Sequence, residues 1–118
     1  LHDALPISCS EAMGMENGQI RDAQITASSR SHTAAMGRLN FKASGVKEGA
    51  WVSSTYGIYN QWLQVDLDRY TVVTGIATQG RNEANQWVTS YMLQYSEDGV
   101  TFVYYKEQGE SSAKVSNT

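Results

Sequence analysis

Side chains alternate along this chain with a period of two. Over 61–67 the sequence QWLQVDL sets Leu63, Val65 and Leu67 on one face and Trp62, Gln64 and Asp66 on the other, the pattern of a strand with one face toward a core. Over 87–95 the same spacing groups Trp87, Thr89, Tyr91, Leu93 and Tyr95 against Val88, Ser90, Met92 and Gln94. The Asn17-Gly18 turn signal precedes a first strand over 24–28, and a largely apolar or β-branched run over 72–79 reads as an interior strand. Ser96-Glu97-Asp98-Gly99 closes a hairpin onto a strand over 100–105, because Asp-Gly tolerates the positive φ such turns demand. No amphipathic helix of about ten residues interrupts the series. The expectation is an all-β fold, an antiparallel sandwich.

The 118 residues, 41% hydrophobic and 18% charged, suit one globular domain with no internal repeat and a single Pro. Residues 1–8 carry no periodicity and read as a flank, so the domain is taken to run over 9–118. Nine basic against twelve acidic side chains leave a formal net charge of -3, which argues against a nucleic-acid partner. Neither a spanning helix nor a signal peptide is read, since no apolar run approaches ~18 residues and the N-terminus lacks a cationic start. The single Cys9 makes no internal disulfide and, taken alone, points to a reducing compartment or an unpaired thiol.

Catalysis needs a positioned nucleophile, base or metal, and the inventory is thin. His2, His32 and Cys9 stand without an HExxH, GxSxG, CxxC or phosphate-cradling glycine loop. The chain reads as a non-enzyme without a cofactor or metal. Asp66 and Asp68 sit two apart at a strand end and read as partners of Arg69 or another nearby cation. Trp51, Trp62 and Trp87 read as structural aromatics, because strand patterns place such rings in cores and cross-strand contacts.

Strand direction then suggests a site. If 72–79 runs back beside 61–67, loops 53–60 and 80–86 emerge at one end, while 68–71 and 96–99 lie at the other. The converging loops carry Tyr56, Ile58, Tyr59, Arg81, Asn82, Asn85 and Gln86, a mixture of aromatic and hydrogen-bonding groups suited to recognition. Tyr56, Ile58 and Tyr59 read equally as ligand contacts or loop packing. Arg81 reads as an anion-binding group or as a salt-bridge brace between loops, and His32 as an ordinary exposed loop residue.

The ordered segments GMENGQI (14–20), QITASS (24–29), GRLN (37–40), GAW (49–51), QWLQVDL (61–67), VTGIATQGR (73–81), WVTSY (87–91) and YSEDG (95–99) together resemble the discoidin, or coagulation factor V/VIII type C, domain. The resemblance implies a jelly-roll-like, galactose-binding-domain-like β-sandwich. It also implies a non-catalytic module of secreted and cell-surface proteins that takes ligands on loops at one end. Loops 53–60 and 80–86 look like the second and third of those loops, and 30–36, with Arg30, His32 and Thr33, like the first. The family's unit continues into further core strands and ends in a Cys that pairs with the one matching Cys9. On that comparison the chain is expected to be incomplete at its C-terminus, with the partner of Cys9 absent. Val52 stands where many members have a second Cys, and Arg30-Ser31-His32 where collagen-binding receptors carry a Trp.

The functional expectation is an extracellular adhesion or recognition module whose three loops bind a cell-surface or matrix glycan or glycoprotein. The alternative is peripheral binding to anionic phospholipid, with Met36, Tyr56, Ile58 and Tyr59 dipping into the interface and Arg30 and Arg81 meeting headgroups.

Overall fold

The computed structural model describes residues 11–54 and 59–117, so Cys9, Tyr56 and Ile58 lie outside the described residues. The strand-forming runs pair as three two-stranded antiparallel ladders. β1 (Ile25–Ala27) pairs with β2 (Leu63–Val65), β3 (Ser90–Met92) with β6 (Val115–Asn117), and β4 (Gln94–Tyr95) with β5 (Val103–Tyr104). Among the described residues, helix is confined to two 3₁₀ segments, Asp22–Gln24 and Ser31–Gly37. The chain divides into two compact units, Leu1–Asn85 and Gln86–Thr118.

In the first unit the register is Ile25↔Val65, Thr26↔Gln64 and Ala27↔Leu63. Backbone bonds lengthen this ladder at both ends, from Asp66 N to Gln24 O (2.8 Å) and from Ser28 N to Trp62 O (3.0 Å). Alternation turns Ile25 and Ala27 inward, where they join Ile20 and Ala34 in the core, with Met15, Trp51, Val65 and Leu67 packed against it. Burying a side chain such as Ile25 contributes about 1.5–3 kcal/mol. The 3₁₀ segment Ser31–Gly37 supplies Ala34, the most deeply buried of the four, at 1% exposure. Gln24 is buried too, and its side chain is satisfied: Nε2 donates to Asp66 O (2.7 Å) while Oε1 accepts from Arg21 N (2.8 Å).

The second unit is built on pairings Tyr91↔Ser116 and Tyr95↔Val103, one in each ladder. The turn between β4 and β5 forms because Asp98 Oδ1 accepts from Val100 N (2.8 Å), Thr101 N (2.9 Å) and Ser96 Oγ (2.9 Å), while Gly99 adopts φ 74°. Those donors favour the ionised carboxylate, Thr101 N most, and hold Asp98 down at about 2.

Two strand expectations need correction. Residues 72–79 form no strand and are exposed, with Val72 at 73%. An apolar run becomes a strand only when it joins a ladder, and no ladder includes these residues. The run over 87–95 breaks at Leu93 into β3 and β4, and Trp87 and Tyr95 are each 60% exposed. The turn over 96–99, the first strand, the strand within 61–67 and the strand within 100–105 all form, each shorter than the sequence pattern suggests.

Candidate functional site

The β1–β2 register decides where the loops emerge. β1 leads from Ala27 through Ser28 and Ser29 into Arg30, and β2 is entered from Gln61 and Trp62, so segments 30–36 and 53–60 leave the same end of the ladder. The strand over 72–79 from which loops 53–60 and 80–86 were expected to converge does not form, so the ladder places only 30–36 beside the entry to β2. Hydroxyls close this end. Ser28 Oγ donates to Gln61 Oε1 (3.0 Å) and accepts from Trp62 N (2.9 Å), and Ser29 Oγ accepts from Ser54 N (3.0 Å). Trp51, half-buried against the core, donates from Nε1 to Ser29 O (2.9 Å), a structural role for that indole.

Arg30 has φ 47° and ψ 43°, left-handed geometry that costs a non-glycine residue about 1–2 kcal/mol. It turns the chain from β1 into the 3₁₀ segment. Its carbonyl accepts both Thr33 N (2.9 Å) and Thr33 Oγ1 (2.7 Å), so Thr33 is buried as an internal brace. The Arg30 guanidinium reaches Glu48 Oε1 (3.1 Å) and Val52 O (3.4 Å), tying the first loop to the segment on both sides of Trp51.

The loop over 80–86 attaches to that same segment. Arg81 Nε donates to Glu83 Oε1 (2.8 Å), and Gly49 N donates to both Glu83 oxygens (3.3 and 3.1 Å). Asn82 Oδ1 accepts from Ala43 N (3.1 Å). A side chain at Gly49 would collide with the Asn82 amide and crowd the Glu83 carboxylate, so glycine lets these side chains lie against the backbone. The electrostatics follow from this geometry. Hydrogen bonding to Arg81 outweighs burial and holds Glu83 at about 2, with its own and the Gly49 backbone N–H adding to the shift. The Arg30 hydrogen bond lowers Glu48, and Glu83 raises Arg81. Glu48 Oε2 is buried with no hydrogen-bond partner among the described residues.

Of the expected site residues, Arg30 and Arg81 thus join one network of alternating charge with Glu48 and Glu83. His32, Tyr59, Asn82 and Asn85 are exposed, with Tyr59 at 88%, while Gln86 belongs to the second unit. Sequence reasoning missed Glu48 and the contact role of Gly49; the only local signal was a carboxylate followed by glycine immediately before Ala50-Trp51. At the opposite end of the ladder Asp68 pairs with Arg21 (2.9 Å), and Asp66 Oδ1 accepts from Asp68 N (2.9 Å). The carboxylates are structural as expected, although the cation is Arg21 and not Arg69. No cluster of three potential metal ligands occurs among the described residues.

With this geometry in place, comparison with known proteins identifies the family. The F5/8 type C domain model matches residues 24–118. The chain belongs to the F5/8 type C, or discoidin, domain family. The human EGF-like repeat and discoidin I-like domain-containing protein 3 is 44% identical over 115 residues, covering 91% of this chain and 24% of the relative. Mouse retinoschisin is 39% identical over 105 residues, covering 81% of this chain and 45% of the relative. Rat lactadherin is 40% identical over 114 residues, covering 87% of this chain and 26% of the relative. The chain therefore spans less than half the length of these curated relatives. Family membership implies a β-sandwich, in keeping with a described structure of strands and irregular segments with little helix. No helix among the described residues is long and apolar enough to cross a membrane.

Proposed function

We propose that residues 9–118 are an extracellular, non-catalytic adhesion or recognition module. In this reading a jelly-roll-like sandwich presents loops 30–36, 53–60 and 80–86 to a cell-surface or matrix glycan or glycoprotein. The observation that carries the choice of ligand is the pairing of both loop arginines with carboxylates, Arg30 with Glu48 and Arg81 with Glu83. An anionic membrane attracts free surface cations at about 1 kcal/mol each, and that attraction is offset where each cation is already paired with a carboxylate. What the loops offer instead is uncharged: the Asn85 amide, the exposed edge of the Asn82 side chain and the Tyr59 ring. Amides and flat aromatic faces satisfy hydroxyls and stack on sugar rings.

Binding of this chain to arrayed glycans and matrix proteins tests the reading, with Tyr59→Ala and Asn85→Ala as variants and phosphatidylserine vesicles at low and high salt as the contrast. The expected result is a glycan or glycoprotein hit that the double variant weakens at least tenfold and that survives high salt. Vesicle binding that falls steeply as salt rises, with no glycan or protein hit, would select the membrane reading.

A further inference from the structure

Between the 3₁₀ segment Ser31–Gly37 and the segment over 38–47 lies a cleft of about 140 Å³ whose polar walls are Asp22, His32, Arg38 and Lys47. Its position follows from local structure. A 3₁₀ helix has three residues per turn, so His32, Ala35 and the following Arg38 fall on one face. Lys47 is fixed opposite by a tight turn in which Ser44 N and Lys47 N donate to each other's carbonyls (3.0 and 2.9 Å), with Gly45 at φ 60°. Met36 and Phe41 provide apolar lining.

The charge around this cleft is unbalanced. Asp22 is already engaged by Arg38 Nη2, while Arg38 Nη1 donates to Met15 O (3.0 Å). The Arg38 side chain is only 11% exposed, so this cation is held at the inner wall. The side chains of His32 and Lys47 have no ion-pair or hydrogen-bond partner among the described residues. Three basic groups thus converge on one carboxylate, in a chain whose formal net charge is -3. This contrasts with the loop network, where carboxylates match the arginines one for one.

We propose that this cleft is a subsite for the terminal sulfate group of a sulfated sugar. The volume, about that of four or five water molecules, admits one tetrahedral oxyanion. A monoester presents three oxygens on a single bond and enters such a cleft. A phosphodiester, substituted on both sides as in a phospholipid, presents only two free oxygens to the cleft's donors. Lys47 and His32 donate to the sulfate oxygens, and Met36 and Phe41 meet the C–H face of the attached ring. The inference deepens the loop-borne reading at loop 30–36, which supplies His32, Ala35 and Met36, and requires neither Tyr59, Asn82 nor Asn85.

The test is titration of the 118-residue chain with N-acetylglucosamine 6-sulfate, followed by amide and His32 ring NMR shifts. N-acetylglucosamine, its 6-phosphate, inorganic sulfate and phosphatidylserine vesicles serve as contrasting probes. The sulfated sugar is expected to bind at least tenfold more tightly than the unsulfated one and to be displaced by inorganic sulfate. Lys47→Gln and His32→Gln are each expected to weaken it roughly five- to tenfold, the loss of one charge-assisted hydrogen bond. Both residues are exposed, so an unchanged thermal midpoint confirms that each variant folds. Lys106→Gln, which removes an exposed cation that does not line the cleft, is expected to leave this affinity unchanged, which separates the cleft from the overall charge of the chain. Preference for the 6-phosphate overturns the assignment to sulfate. Sulfated-sugar binding that survives the Lys47→Gln/His32→Gln double variant, or vesicle binding that depends on those two residues without monosaccharide binding, overturns the subsite.

Discussion

Gly49 is the point at which two loop-bearing segments are held against each other, and replacing it with alanine measures that contact directly. A Cβ built on Gly49 would fall against the Asn82 amide oxygen, 3.0 Å from Asn82 Cγ and 2.8 Å from Glu83 Oε1. These approaches are shorter than side chains tolerate, so the 81–83 segment must retreat. In doing so it stretches the bonds from Gly49 N to Glu83 and from Ala43 N to Asn82. Overpacking of this kind costs roughly 1–3 kcal/mol. Because the obstructing atoms are the ends of side chains that can partly swing away, the lower half, about 1–2 kcal/mol, applies. For a chain of this size that lowers the thermal midpoint by about 4–8 °C. The assay is thermal unfolding followed by circular dichroism, run as a cycle with Asn82→Ala, which removes the nearest obstructing atoms. The penalty of Gly49→Ala is expected to shrink by at least about 0.5 kcal/mol in the Asn82→Ala background, the coupling shown by residues in contact. In the single variant the Glu83 carboxyl is expected to rise only slightly above about 2, because the Gly49 N–H withdraws while Arg81, the main cause of the depression, moves with it. A midpoint within about 1 °C of the parent, or an identical penalty in both backgrounds, would refute the reasoning.

Two further outcomes follow from single hydrogen bonds. Trp51→Phe keeps the apolar contact with the core but removes the 2.9 Å bond from Nε1 to Ser29 O, leaving that carbonyl to find another partner. A loss of about 1 kcal/mol in urea unfolding is expected, and no change would assign the indole N–H no structural role. Asp98 is held at about 2 against an ordinary 3.8, so its ionised form stabilises the β4–β5 turn. The folded value is depressed, which means this stabilisation is present above pH ~4 and is lost as pH falls toward 2. The Val100 and Thr101 amide shifts are expected to titrate together with a midpoint near 2, and a midpoint near 3.8 would rule out the hydrogen-bonded turn.

The parts of the fold legible in sequence are those written in near neighbours. Ser96-Glu97-Asp98-Gly99 forms its turn because donors and acceptor lie within three residues of one another. Val65 and Leu67 meet the core as their alternation suggests. The failures share a cause. Residues 72–79 have the apolar composition of an interior strand, yet a strand exists only through a partner elsewhere in the chain, and composition is silent about that partner. Trp62, read as a structural aromatic, is 49% exposed, on the face that its alternation sets opposite Val65 and Leu67. The long-range contacts were invisible for the same reason: the ion pair of Arg21 with Asp68 and the hydrogen bonds from Gly49 N to Glu83 join positions far apart in the chain. Sequence inspection therefore found which residue types populate the loops and could not find which of them were already engaged.

That engagement redistributes the functional roles. Arg30 looked like a ligand-binding cation in an exposed loop. In the fold its backbone sits at φ 47°, and its guanidinium spans from Glu48 to Val52 O. A residue held in strained geometry by several contacts is a strut, and moving its charge to a ligand would release the turn it maintains. Arg81 is bound to Glu83, and Glu83 is bound to Gly49, so the same argument applies at the other side of the network. Recognition at the loops is left to groups that can change partners without dismantling the scaffold. The proposed recognition groups of this kind are Tyr59 and Asn85 on the loops, the edge of Asn82 not held by Ala43 N, and His32 and Lys47 in the cleft. A sulfated glycan, which carries both neutral hydroxyls and an acidic substituent, would meet both proposals.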